Sequence, residues 1–208
     1  MSRRREEELV RGVLEAYRQG LFPMADPRTR EIGWYDPDPR AVIPLDPQGF
    51  RVSRSLRQRV RSGRFEITYD SAFDEVIRSC ARSEKREGCW IDGQIIGVYC
   101  LLHRHGHAHS VEAWRPCQGE RTLVGGLYGV AIGGLFAGES MFCRPENGGT
   151  DASKVCLVHL VEHLRRRGFT LLDTQFRNRH LDQFGCIEIH RREYKRRLSE
   201  AVNLDVTW

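Results

Sequence analysis

The chain has no apolar run near the ~20 residues that a membrane-spanning helix needs. That excludes a helical membrane protein. Its first residues, Met1-Ser2-Arg3-Arg4-Arg5-Glu6, are basic but lead into an amphipathic segment, not the apolar core of a secretion signal. The expected compartment is therefore the cytoplasm. No CxxC pair occurs, and the seven cysteines (Cys80, Cys89, Cys100, Cys117, Cys143, Cys156 and Cys186) are odd in number. Both facts argue against a disulfide framework and a zinc ribbon. There is no GxGxxG and no P-loop. The glycine-rich run Gly125–Gly134 also lacks the Gln/Arg-x-x-Gly-x-Gly/Ala cradle with which acetyl-CoA enzymes hold pyrophosphate. Internal repeats and low-complexity segments are absent.

What is present is a globular composition: 208 residues, 40% hydrophobic and 29% charged, with a net charge of +5. The length suits one domain, or one domain with a small companion. Leu9, Val10, Val13, Leu14 and Tyr17 recur at helical spacing and predict a helix from about Glu6 to Arg18, ended near Gly20. The stretch from Phe22 to Gln48 holds six of the eight prolines and reads as a turn-rich connector with no long helix or central strand. Trp34-Tyr35 suggest that it packs against something. Ser53 is placed to cap a short helix to about Arg61, Phe65–Tyr69 alternates like a strand, and Asp70 is placed to cap a helix carrying Phe73, Val76 and Ile77. Asp92 or Gly93 opens another helix that ends at Gly106. Strands follow at about His109–Trp114, Leu123–Ile132 and Leu135–Phe142, the last two joined at Gly133-Gly134. A helix over Ala152–Arg167, a strand at Phe169–Asp173, a helical turn near Leu181–Phe184, a strand at Ile187–Ile189 and a basic helix from Arg191 complete the pattern. This is an α+β arrangement with an antiparallel-rich sheet, compatible with an acyltransferase-type (GNAT-like) fold.

Four features could carry chemistry. Arg51, Arg54, Arg57, Arg59, Arg61 and Arg64 fall within 14 residues that contain no acid, a pattern suited to phosphate oxygens as well as to a solvated helix face. His103, His105, His107 and His109 alternate, but Gly106 breaks the segment and no partner stands at zinc spacing, so capping and hydrogen bonding are the expected roles and no metal is expected. Glu139 stands inside an otherwise apolar hairpin strand. Asp173 ends an apolar strand with Gln175 two residues on, a spacing that puts both on one face if the strand persists.

Taken in order, several segments resemble the leucyl/phenylalanyl-tRNA–protein transferases. They include Ala16-Tyr17-Arg18-Gln19-Gly20-Leu21-Phe22-Pro23, Trp34-Tyr35-Asp36-Pro37-Asp38-Pro39-Arg40-Ala41-Val42, Ser53-Arg54-Ser55-Leu56 and Glu87-Gly88-Cys89-Trp90-Ile91. Further along come Gly106–Glu112, Val124–Val130, Gly138-Glu139-Ser140-Met141-Phe142, Ala152-Ser153-Lys154, Leu172-Asp173-Thr174-Gln175 and Ile187-Glu188-Ile189. The resemblance runs from about residue 12 to about 200. It implies a small N-terminal domain (residues 1–38) and a GNAT-like catalytic domain (39–208). The implied activity moves Leu or Phe, sometimes Met, from aminoacyl-tRNA to the N-terminal Arg or Lys of a protein and marks that protein for degradation. No cofactor is implied, and a monomer is expected. Asp173 and Gln175 take the catalytic roles by this resemblance, with Asp173 orienting Gln175 or accepting a proton. Glu139 and Asn178 match polar positions of the site. Leu127, Phe136, Leu157, Leu160 and Leu172 are candidates for the aminoacyl side-chain pocket. Trp90 and Tyr99 match aromatic positions for the terminal adenosine, and Arg51–Arg64 would carry the acceptor stem. The chain departs from the pattern at Met24, where Trp is common, at the longer loop Asn147–Asp151, and at His190 in place of Pro.

Overall fold

The computed structural model describes residues 2–83, 89–117 and 120–208. The Glu87-Gly88 part of one matching segment lies outside the described residues. Helix α1 (Arg3–Arg18) is followed by two short strands, β1 (Phe22–Ala25) and β2 (Ile32–Tyr35), which pair antiparallel as their own two-stranded sheet. Then come β3 (Arg40–Ile43), α2 (Arg54–Arg61), β4 (Glu66–Tyr69), α3 (Phe73–Ser83) and α4 (Gly93–Arg104). Three long strands β5 (Ala108–Cys117), β6 (Glu120–Ile132) and β7 (Leu135–Cys143) lead into α5 (Ala152–Arg167). The chain ends with β8 (Leu171–Gln175), α6 (Arg179–Asp182), β9 (Ile187–Ile189) and α7 (Arg191–Ala201). The main sheet has the order β4-β5-β6-β7-β8-β3-β9, antiparallel throughout except between β7 and β8. The α+β, antiparallel-rich expectation is met.

Side-chain alternation on the central strands builds a core on each face. Val124 and Leu127 of β6 join α2 and α5 in one cluster, whereas Leu123, Tyr128 and Val130 join α1, α3 and α4 in the other. A third cluster packs Tyr194 and Leu198 of α7 against Val42, Leu135 and Leu171. The α5 helix has its expected bounds. Gly168 takes the left-handed conformation (φ 87°) that closes its C-terminus, and Arg165–Arg167 sit where basic charge suits the helix dipole.

Three expectations need correction. The proline-rich stretch does supply an inner strand, because Arg40–Ile43 lies between β8 and β9. Pro39 and Pro44 flank those four residues and none falls within, so every ladder N–H is kept. Asp70 does not cap α3. Its carboxylate accepts the Ser110 backbone N–H at 2.9 Å and pairs with His109 Nδ1 at 2.8 Å, tying it to β5. The strand predicted at 169–173 begins two residues later, since Thr170 and Leu171 both donate to the Gly134 carbonyl in the turn out of α5. Ser53 and Asp92 cap their helices as expected, each side chain accepting backbone N–H groups of the first turn.

Candidate active site

Parallel pairing of β7 with β8 ends at Ala137 and Asp173. Beyond that point a cavity of about 470 Å³ opens, lined by β6, β7, α5, β8 and α6. Two backbone irregularities aim side chains into it. On β7, Tyr128 faces Ser140 while Gly129 faces Gly138, so Glu139 is the extra residue of a bulge. Gly129 is required there, because a Cβ would meet the Ala137 carbonyl at 2.3 Å and the Phe136 ring at 2.4 Å. On β8, the strand runs on to Gln175, but Gln175 has a left-handed φ of 57°, a strained setting for a residue with a side chain.

Asp173 is fully buried and does not line the cavity; it stands behind it. Its carboxylate accepts four hydrogen bonds: two from Arg40 (Nε at 2.9 Å, Nη2 at 2.6 Å), one from Tyr194 Oη at 2.9 Å and one from the Gln175 backbone N–H at 3.0 Å. Arg40 is itself buried, donates to the Gly20 carbonyl at 2.9 Å, and lies over the Phe22 and Tyr194 rings. Burial alone would lower the pKa of Arg40, but the charge and hydrogen bonds of Asp173 outweigh it and raise it. Asp173 therefore spends its lone pairs on holding Gln175 and Arg40, which speaks for the orienting role over proton acceptance. The Gln175 side chain lines the cavity, and its Nε2 is buried without a partner among the described residues.

Glu139 sits at the other wall. Tyr17 Oη donates to its Oε1 at 2.6 Å, and Tyr17 and Tyr99 share a 2.6 Å hydrogen bond. Burial pushes the Glu139 carboxyl up to about 7, against the hydrogen bonds of Tyr17 and Tyr99, which lower it. Burial also holds both phenols above their ordinary range, with the Glu139 charge as the next cause. A carboxyl that titrates near neutrality is suited to taking and releasing a proton.

Leu127, Leu157, Leu160 and Leu172 form an apolar wall of the cavity, together with Glu139, Gln175 and Asn178. Asn178 is partly committed, its Oδ1 capping α6 through the Leu181 N–H at 2.9 Å. Phe136 is not in the lining. It is fully buried and stacks on Trp208 at 5.3 Å. Tyr99 is also fully buried, with its ring edge-on to Tyr128 at 5.4 Å, so it presents no face on which an adenine could stack. Trp90 lies outside the lining as well and is partly buried against the α3–α4 core.

Of the arginine run, Arg51, Arg54, Arg57 and Arg61 are exposed. Arg59 stands 4.0 Å from Asp151, and Arg64 donates to the Gly148 carbonyl at 3.0 Å; these two serve the loop before α5. His103 bonds the Ala108 carbonyl and stacks on Phe73. Sequence reasoning gave no role to Arg40, Tyr17, Tyr194 or His180. The first two stood in matching segments, which was the available signal. His180 lines the cavity with an Nε2 that has no partner among the described residues, and burial, then Lys154, holds its pKa below the ordinary value.

An apolar pocket beside the Gln175 amide and a carboxyl raised to about 7 is an arrangement that can serve acyl transfer. A family model described as leucyl/phenylalanyl-tRNA protein transferase matches residues 43–199, and its N-terminal domain model matches residues 10–38. The leucyl/phenylalanyl-tRNA–protein transferase of Gloeobacter violaceus is 54% identical over 92% of this chain and 93% of its own. That of Rubrobacter xylanophilus is 53% identical over 93% and 94%. The chain belongs to the leucyl/phenylalanyl-tRNA–protein transferase family. Among solved structures, a ribosomal-protein-alanine N-acetyltransferase from Brucella melitensis aligns over 69% of this chain and 94% of its own at 16% identity, with a TM-score of 0.38.

Proposed function

We propose that this chain moves leucine or phenylalanine, with methionine as a third donor, from aminoacyl-tRNA to the N-terminal Arg or Lys of a protein, marking that protein for degradation. The observation that carries the reading is the Gln175 Nε2, buried without a partner among the described residues, in the lining of a leucine-walled cavity. The donor side chain enters the apolar wall formed by Leu127, Leu157, Leu160 and Leu172. This brings the ester carbon beside Gln175, whose N–H holds the carbonyl oxygen as negative charge develops on it. The amide does not titrate, so it positions and does not deprotonate. An acceptor α-amine with a pKa of about 7.7–8.0 is partly neutral at pH 7 and attacks the carbon. Its surplus proton passes to Glu139 and from there to the ribose oxygen, which leaves as a hydroxyl when the ester C–O bond breaks. Asp173 and Arg40 set the Gln175 backbone and act as positioning residues. Arg51, Arg54, Arg57 and Arg61 supply the phosphate-binding surface for the tRNA.

An apolar pocket separates side chains differing by a methylene by only ~1–3 kcal/mol, so more than one donor is expected. The division at residue 38/39 belongs to the same proposal. Its support is that β1 and β2 pair with each other, whereas Arg40 begins a strand of the main sheet. The cytoplasm is the compartment that supplies charged tRNA. No described helix is long and apolar enough to cross a membrane. The test is incubation with labelled Leu-, Phe- and Met-tRNA and a peptide beginning with Arg. Transfer from Leu- and Phe-tRNA is expected; no transfer from any of the three overturns the proposal.

A further inference from the structure

Two exposed aromatic side chains lie together beside the cavity. Phe176 follows Gln175 directly and is 49% exposed, and Tyr35 is 39% exposed. Both rest on the buried Phe22 ring: Tyr35 stacks on it at 6.0 Å and Phe176 meets it edge-on at 5.8 Å. The inner neighbour of Phe22 is the Arg40 guanidinium that holds Asp173. The platform is thus backed by the same network that sets Gln175. The left-handed turn at Gln175 sends its own amide into the cavity and leaves the next side chain outside.

Charge identifies the occupant. Arg179, three residues on, is exposed and has no acidic partner among the described residues. From there the surface continues past the turn after α6 to Arg51, whose N–H donates to the Phe184 carbonyl at 3.0 Å. Gly185 of that turn is packed on Gly49, with Arg51 Cγ beside it. Arg54, Arg57 and Arg61 follow on α2, also exposed and free of acidic partners among the described residues. Exposed aromatic rings joined to a line of free arginines suit an unpaired nucleic-acid strand: the rings take a base, the arginines its phosphates.

Resting on the aminoacyl-tRNA reading, we propose that Phe176 and Tyr35 form a stacking platform for an unpaired base of the tRNA 3′ end, upstream of the reacting nucleotide, with Arg179 holding the backbone between platform and α2. The position follows from geometry. The reacting ester must lie at Gln175, inside the cavity, and Phe176 stands one residue outward and does not line it. It therefore meets the strand before its last nucleotide.

The experiment measures transfer by the wild type, Phe176→Ala, Phe176→Trp and Tyr35→Ala with two donors, full aminoacyl-tRNA and 3′-aminoacyl-adenosine. Loss of one stacked ring predicts a KM for aminoacyl-tRNA raised about tenfold in Phe176→Ala, with kcat within about twofold. Phe176→Trp restores it, and the short donor reacts equally with all variants. A raised KM for the acceptor peptide, an equal loss with both donors, or no change in KM for tRNA overturns the proposal. A wild type inactive with every charged tRNA would instead remove the aminoacyl-transfer reading itself.

Discussion

Replacing Asp173 with Asn changes one atom and removes the nearer of two charges that compensate the fully buried Arg40; the other, Asp36, stands 4.0 Å away. The Asn carbonyl still accepts the Gln175 N–H, but its amide N–H groups face donors: Arg40 Nη2, 2.6 Å from the carboxylate oxygen it replaces, and Tyr194 Oη, 2.9 Å from the same oxygen. Leaving one member of a buried ion pair uncompensated costs roughly 3–5 kcal/mol. For a chain of this length that lowers Tm by on the order of 10 °C. Thermal unfolding followed by circular dichroism at pH 7 reads this directly. Turnover is then measured well below the lowered Tm, where the variant is folded, together with tRNA affinity by filter binding. The expected result is a loss of most turnover with tRNA affinity retained, because Gln175 is no longer held rigidly. The double variant Arg40→Met/Asp173→Asn separates the two effects: removing both charges recovers much of the stability but not the turnover. Unchanged Tm in Asp173→Asn would refute the energetic argument. Near-normal turnover would remove Asp173 from the mechanism.

Glu139 carries a pH prediction. Its folded pKa of about 7 lies above the ordinary carboxyl value, so the folded state disfavours the charged form. Its contribution to stability is complete below about pH 4.5 and is lost as pH rises through 7. Glu139→Gln is therefore expected to flatten the fall in Tm between pH 5 and 8, and to abolish a rise of kcat/KM with pH centred near 7; a variant retaining both profiles excludes Glu139 as the proton acceptor. For α2, replacing Arg54, Arg57 and Arg61 together with Gln should weaken tRNA binding and lower the salt dependence by roughly 2–3 in log–log slope. Replacing Arg59 and Arg64, which are committed to Asp151 and Gly148, should leave that slope nearly unchanged. Equal slopes for the two sets would show that α2 is only a solvated face.

Local signals settled the elements whose chemistry is local. Helix α5 follows from its apolar spacing and the glycine after it, α2 from the Ser53 cap, and the β6–β7 hairpin from Gly133-Gly134. Leu127, Leu172 and Gln175 of the cavity wall were also legible, through the ordered segments that they stand in. What sequence reasoning could not reach depends on where the chain returns. Arg40 looked like one more connector arginine until β3 inserted beside β8 and brought it to Asp173, 133 residues away. Tyr17 and Glu139 meet across a sequence distance of 122 residues, and only the β7 bulge turns Glu139 toward α1. The same cause lies behind the displaced candidates: Phe136 and Tyr99 carry the right residue types, but their burial is set by Trp208 and by Tyr17 and Tyr128, from distant parts of the chain. Sequence determined which residues could do the chemistry. Tertiary structure decided which carboxylate is tied up in an ion pair and which is left near neutrality, because that difference is one of desolvation and neighbours, not of residue type.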